Sequence, residues 1–162
     1  MPAEAKTDTQ RIAKVILEEP ARIRLSAQVE HERKAALFDL IEDNHFAPGI
    51  GGDGPYVLHL AIEDARLVFD VHTETGDAVS RFSLPLDSLR KIIKDYFLVL
   101  DSYFKAIRTM SPSRIEAIDM GRRGLHNEGA ELLRTRLAGH VEMDRDTARR
   151  LFTLVCVLHI RV

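Results

Sequence analysis

The chain has 162 residues, 45% hydrophobic, 30% charged and 6% aromatic, a composition that excludes a disordered or fibrous protein and suits one globular domain with its own core. Its single cysteine, Cys156, closes no internal disulfide and leaves no pair for a zinc knuckle or redox motif, while a net charge of −2 argues against a surface that is basic all round. No apolar run approaches the ~20 residues of a membrane helix, and MPAEAKTDTQ lacks the regions of a signal peptide, so a cytoplasmic location without a membrane partner is expected.

Residues 1–10 are polar and are expected to form a flexible N-terminus ahead of a single α+β domain over 11–162. Arg11 to Glu18 carries the β-branched Ile12, Val15 and Ile16 and predicts a strand ended by Pro20. From Gln28 to Asp43, Val29, Ala36, Leu37, Leu40 and Ile41 recur at helical spacing, with Ser26 placed as N-cap. NHFAPGIGGDGP then reads as a loop. Within it, Gly49 to Gly54 matches the dinucleotide pattern G-x-G-x-x-G, but it follows a helix and precedes a strand, the reverse of the order that places phosphates on a helix N-terminus.

Tyr56–Ile62, Leu67–Thr73 and Ala78–Leu84 are short segments joined by EDAR and ETGD, the lengths of hairpin connections, and predict an antiparallel meander. Pairing residue 63 with 66 puts Leu58, Leu60 and Ile62 on one face with Leu67, Phe69, Val71, Phe82 and Leu84. The other face then aligns His59, Asp70 and Arg81 across three strands, with His72 diagonal to His59. Such a row has the parts of an imidazole base oriented by a carboxylate, without a nucleophile beside it; cross-strand charge pairing is the simpler and preferred reading.

A helix from Pro85 or Asp87 to Thr109 follows from Leu89, Ile93, Tyr96, Leu100, Tyr103 and Ile107 along one face. Ser113 to Glu116 (SRIE) reads as a capping box opening the next helix, with a kink or break expected near 121–129, where Gly121, Gly124 and Gly129 each disfavour helix by about 1 kcal/mol. Asp144 caps a last helix whose Leu151, Phe152, Leu154, Val155, Val157 and Leu158 leave almost no polar face and place it mid-fold. The expected architecture is thus α+β: a three-stranded meander and an N-terminal strand packed against four or five helices.

Charge is unevenly spread: residues 1–104 hold 12 basic and 18 acidic side chains, residues 105–162 hold 11 and 7, and after Lys105 every basic residue is arginine. If the glycines open a turn and Asn127 caps a new helix, Arg122, Arg123, Gly124, His126 and Asn127 form an anion site, with forked donors beside free backbone N–H groups. The plain alternative is that the glycines allow close helix packing and the arginines pair with Asp119 and Glu128. The anion site requires both guanidinium groups to face solvent unneutralised; carboxylates of the chain itself on both forks would close it. His126, His140 and His159, even with Glu128 and Glu142, fit no metal-ligand spacing, so neither metal nor cofactor is expected. Cys156, within an apolar helix, reads as a buried inert thiol.

The block EAIDMGRRGLHNEGAELL, with RLAG and DTARRLFTLVCVLH after it, resembles a family of short uncharacterised bacterial proteins. VEHERKAALFDLIEDNHFAP, GPYVLHL, RLVFDV and KDYF extend the resemblance over most of the chain. It implies a single cytosolic domain and carries over no activity, cofactor or catalytic residue. The preferred functional expectation is a non-enzymatic or regulatory domain binding an anionic group through residues 119–134: a phosphorylated ligand, a nucleic-acid backbone or an acidic protein surface. A small hydrolase or transferase using His126 or His59 as general base, and a structural homo-oligomeric module, are the alternatives.

Overall fold

Strand β1 (Ile12–Leu17) lies parallel to β3 (Tyr56–Glu63), and β3, β4 (Arg66–Thr73) and β5 (Ala78–Pro85) continue as an antiparallel meander, giving the sheet order β1-β3-β4-β5. The computed structural model describes residues 9–19, 25–49 and 52–160; the expected flexible N-terminus lies, up to residue 8, outside them. The meander has the register expected from its pattern. Leu58 faces Val71, Leu60 faces Phe69, Ile62 faces Leu67, and Phe69 faces Phe82. Glu63 pairs with Arg66, and Asp64 and Ala65 between them both take positive φ, 52° and 59°, as a two-residue turn matched to strand twist requires.

One sheet face supplies Leu58, Leu60, Phe69 and Phe82 to a continuous core shared with the helices. Helix α1 (Ala27–Glu42) starts at Ser26, whose Oγ accepts from Val29 N at 3.2 Å, and buries Ala36 and Leu40. After a 3-10 turn at Leu86–Ser88, α2 (Arg90–Thr109) buries Ile92, Ile93, Tyr96 and Leu100. Helix α4 (Arg145–His159), capped by Asp144 accepting from Thr147 N at 2.9 Å, is buried without interruption from Leu151 to Leu158 and is the central helix. Among the described residues the fold is thus α+β, with four helices.

Three local expectations are corrected. Helix α3 runs unbroken from Pro112 to Leu137, so no turn opens at 121–129 and Asn127 caps nothing. Gly121 and Gly124 have open space where a side chain would be, whereas Gly129 lies against the Phe152 ring, where an added Cβ would come within 2.6 Å. Close α3–α4 packing, not a bend, is what Gly129 serves. The N-cap is Ser111 with Pro112 at the first helical position, so Ser113 lies inside the first turn and no capping box forms; a proline fixes the first-turn φ and gives up an N–H that has no helical partner there. The loop after α1 contains strand β2 (Phe46–Ala47), which pairs antiparallel with β6 (Glu142–Met143) because Phe46 and Met143 both enter the core. Ile50 and Gly51 of the GIGGDG match lie outside the described residues.

Asn44, just before β2, ties the first strand to the first helix. Its Oδ1 accepts from Ile12 N at 2.7 Å, and its Nδ2 donates to the carbonyls of Ile12 at 2.9 Å and Leu40 at 2.8 Å.

Candidate functional site

Because α3 is continuous, Asp119, Arg122, Arg123 and His126 stand on neighbouring turns. Arg123 donates Nε to Asp119 Oδ2 at 3.0 Å. Arg122 donates Nε and Nη2 to Asp119 Oδ1 at 3.2 and 3.1 Å, gives Nη1 to Glu32 Oε1 at 3.2 Å, and lies 5.0 Å above the Tyr103 ring. Burial pushes the Asp119 carboxyl up, but the bonds and charge of Arg123 and Arg122 outweigh it and leave the pKa below its ordinary value. Both guanidinium groups are therefore held by carboxylates of the same chain, and the outward anion site at a glycine bend does not form as expected. Gly124 and Asn127 are exposed on the helix surface.

Arg122 and His126 instead meet a different set of groups. A cleft of about 300 Å³ opens among α1, α3 and α4. Helix α1 lines it with Glu32, Ala35, Ala36 and Asp39; α3 contributes Arg122 and His126. Arg149, Arg150 and Thr153 come from α4. Glu32 is committed, since its Oε1 also accepts from the Tyr96 hydroxyl at 3.1 Å. Thr153 Oγ1 donates to the Arg149 carbonyl at 3.3 Å. Arg150 donates Nη1 to the Asp43 carbonyl at 3.0 Å and forms no ion pair among the described residues. Among the described residues, the one ion pair of Arg149 is a 3.6 Å contact with the exposed Asp146.

Two nitrogens at this cleft, His126 Nε2 and Arg149 Nε, are buried without a hydrogen-bond partner. Buried polar atoms are almost always satisfied, and each exception calls for a reason. Burial lowers the His126 pKa to about 4, reinforced by the charges of Arg122 and Arg149 and only partly opposed by Asp119. At neutral pH the ring is uncharged. The cleft thus presents two under-compensated guanidinium groups and a neutral imidazole, a set able to hold a negative group by charge-assisted hydrogen bonds.

The row on the open sheet face has the anticipated register, His59 opposite Asp70 and Asp70 opposite Arg81. Its bonds run differently from a base oriented by a carboxylate at His59. Asp70 contacts His72 Nε2 at 3.1 Å and accepts from Arg81 Nη1 at 3.2 Å, while His59 Nδ1 lies 3.6 Å from Glu18. His59 and His72 meet edge to face with centroids 5.2 Å apart, and Arg81 also reaches Glu63 at 3.3 Å.

Of the other histidines considered as metal ligands, His140 stacks on Phe82 with centroids 5.2 Å apart, and His159 stands near Arg90 beside α2. Cys156 is fully buried, which pushes its thiol pKa up. Sequence reasoning missed Glu32, Asp39 and Thr153 as cleft residues, and counted Arg149 and Arg150 only among the C-terminal arginines. The available signal was that doublet: two adjacent arginines in a helix otherwise apolar enough for the centre of the fold.

No helix among the described residues is long and apolar enough to cross a membrane. No solved structure matches the chain. A UPF0262 protein of Paramagnetospirillum magneticum is 56% identical over 152 residues, covering 94% of this chain and 97% of that one. A UPF0262 protein of Xanthobacter autotrophicus is 55% identical over 150 residues, covering 92% of each, and one of Brucella canis is 57% identical over 139 residues, covering 85% and 87%. The model of the uncharacterised protein family UPF0262 matches residues 9–161, and the chain belongs to that family.

Proposed function

We propose that this protein is a cytoplasmic, non-enzymatic or regulatory domain that binds a small anionic molecule in the cleft among α1, α3 and α4. The observation that carries the reading is the meeting of Arg149, Arg150 and His126 on one cleft, where Arg150 forms no ion pair among the described residues and Arg149 has a 3.6 Å contact with the exposed Asp146. An anion there supplies the countercharge that Arg150 lacks among the described residues and adds to the weak one at Arg149. Arg122 orients this wall through Glu32 and Asp119 and is not itself the free donor. A cavity of about 300 Å³ sits at the small end of ligand sites and favours a small molecule over a nucleic-acid backbone or an acidic protein surface.

The test is a thermal-shift and calorimetric screen with inorganic phosphate, phosphorylated metabolites, small carboxylates, RNA and divalent metals, because a ligand of the native state raises its melting temperature. A small anion is expected to stabilise the wild type and to lose its effect in Arg149→Ala/Arg150→Ala. Stabilisation that survives this double substitution, or a screen in which no small anion acts, overturns the reading and moves weight to a protein partner.

A further inference from the structure

We infer that the ligand of this cleft is dipolar, a small zwitterion with a carboxylate and an ammonium group of the amino-acid class; this rests on the anion-binding reading above and adds the cation. Asp39 on α1 and Arg150 on α4 line the same cavity with opposite charges, yet neither forms an ion pair among the described residues. Arg150 turns to the Asp43 carbonyl instead, at 3.0 Å.

On the α1 wall of the cleft, the short side chains of Ala35 and Ala36 lie between Glu32 and Asp39 along the helix. The other carboxylate of the cleft, Glu32, is already held by Arg122 and Tyr96, which leaves Asp39 as the carboxylate open to a ligand. A simple anion would compensate Arg149 and Arg150 but would add repulsion at Asp39. A molecule with its carboxylate toward α4 and its ammonium toward Asp39 compensates both ends, and its uncharged middle rests on the alanine methyls. A volume of about 300 Å³ suits a molecule of amino-acid size.

The experiment compares, by calorimetry on the full chain, the twenty standard L-α-amino acids, the carboxylic acid of the same skeleton lacking the amine for each one that binds, and inorganic phosphate. At least one amino acid is expected to bind about ten-fold or more tighter than its amine-free counterpart. Asp39→Asn is expected to bring that ratio to within about two-fold while phosphate binding holds or strengthens. Asp39 is exposed on α1, and a melting curve checks that the variant folds. Amine-free acids that bind as well as amino acids, or a preference that survives Asp39→Asn, overturn the dipolar ligand. Phosphate binding with no amino-acid binding overturns it too, yet leaves the anion cleft standing. If neither phosphate nor any carboxylate binds, both readings fall together.

Discussion

Arg122 on α3 donates to Glu32 Oε1 on α1 at 3.2 Å, and the Tyr96 hydroxyl on α2 donates to the same oxygen at 3.1 Å, so one carboxylate oxygen fastens three helices. The side chains of Arg122 and Glu32 are 24% and 13% exposed, too buried for water to replace a lost partner fully. Burial and the charge of Glu32 push the Tyr96 phenol up, so it remains a donor through the neutral range. Arg122→Ala is expected to cost about 1–3 kcal/mol in urea unfolding, below the full penalty for an uncompensated buried ion because some solvent reaches the site. Glu32→Gln added to Arg122→Ala should recover part of the loss. Strict additivity in that cycle would show that the two side chains are not coupled.

The three glycines of α3 should respond in opposite directions. At Gly121 and Gly124 a Cβ meets nothing within 4 Å, so alanine there should stabilise by about 0.5–1 kcal/mol each through helix propensity. At Gly129 a Cβ would stand 2.6 Å from three atoms of the buried Phe152 ring, and overpacking of this kind costs about 1–3 kcal/mol or more. Thermal melts of the three single variants decide the matter. A stable Gly129→Ala protein would mean that α3 and α4 can separate without loss.

These glycines also mark where sequence reasoning reached its limit. Alternation and spacing are local signals, so the meander register, the Ser26 and Asp144 caps and the buried last helix could be read residue by residue. The continuity of α3 could not, because the propensity cost of its glycines is overridden by packing against Phe152, 23 positions after Gly129. The same holds for the site. The i, i+3 and i, i+4 positions of Arg122 and Arg123 relative to Asp119 are visible in the chain, but Glu32 reaches Arg122 from 90 residues away. That distant carboxylate completes the neutralisation of Arg122 and leaves Arg149 and Arg150 as the less compensated cations of the cleft among the described residues.

Asn44 should prove the costliest small polar residue to replace outside the helices. Its side chain serves the Ile12 backbone with both an acceptor and a donor and also caps the Leu40 carbonyl at the end of α1. Ile12 and Leu40 are fully buried, so Asn44→Ala leaves backbone groups unpaired where water has poor access. A loss of about 2–3 kcal/mol is expected. Hydrogen exchange should localise it, with the Ile12 amide losing protection first. A variant within about 0.5 kcal/mol of wild type would show that solvent substitutes freely at this corner.

His126 gives the protein a stability loss on the acid side that can be separated from ordinary acid unfolding. Its folded pKa is about 4 against 6.5 for the free side chain, so between those values the unfolded chain takes up a proton that the folded chain refuses. Stability is therefore full above about pH 6.5 and falls toward pH 4, by up to about 3 kcal/mol. His159, also lowered by burial and by Arg90, acts in the same direction. Asp119 works in a different window: its pKa is depressed, so its contribution is present above the ordinary 3.8 and lost only as pH drops through its lower folded value. His126→Phe should flatten the slope between pH 6.5 and 4 and leave the steeper acid limb in place. An anion seated beside the ring favours the protonated imidazole, so saturating sulfate, whose charge does not change over this range, should shrink the same dip in the wild type and bind more tightly as the pH falls. A pH profile identical in wild type and His126→Phe would remove the imidazole from the cleft chemistry.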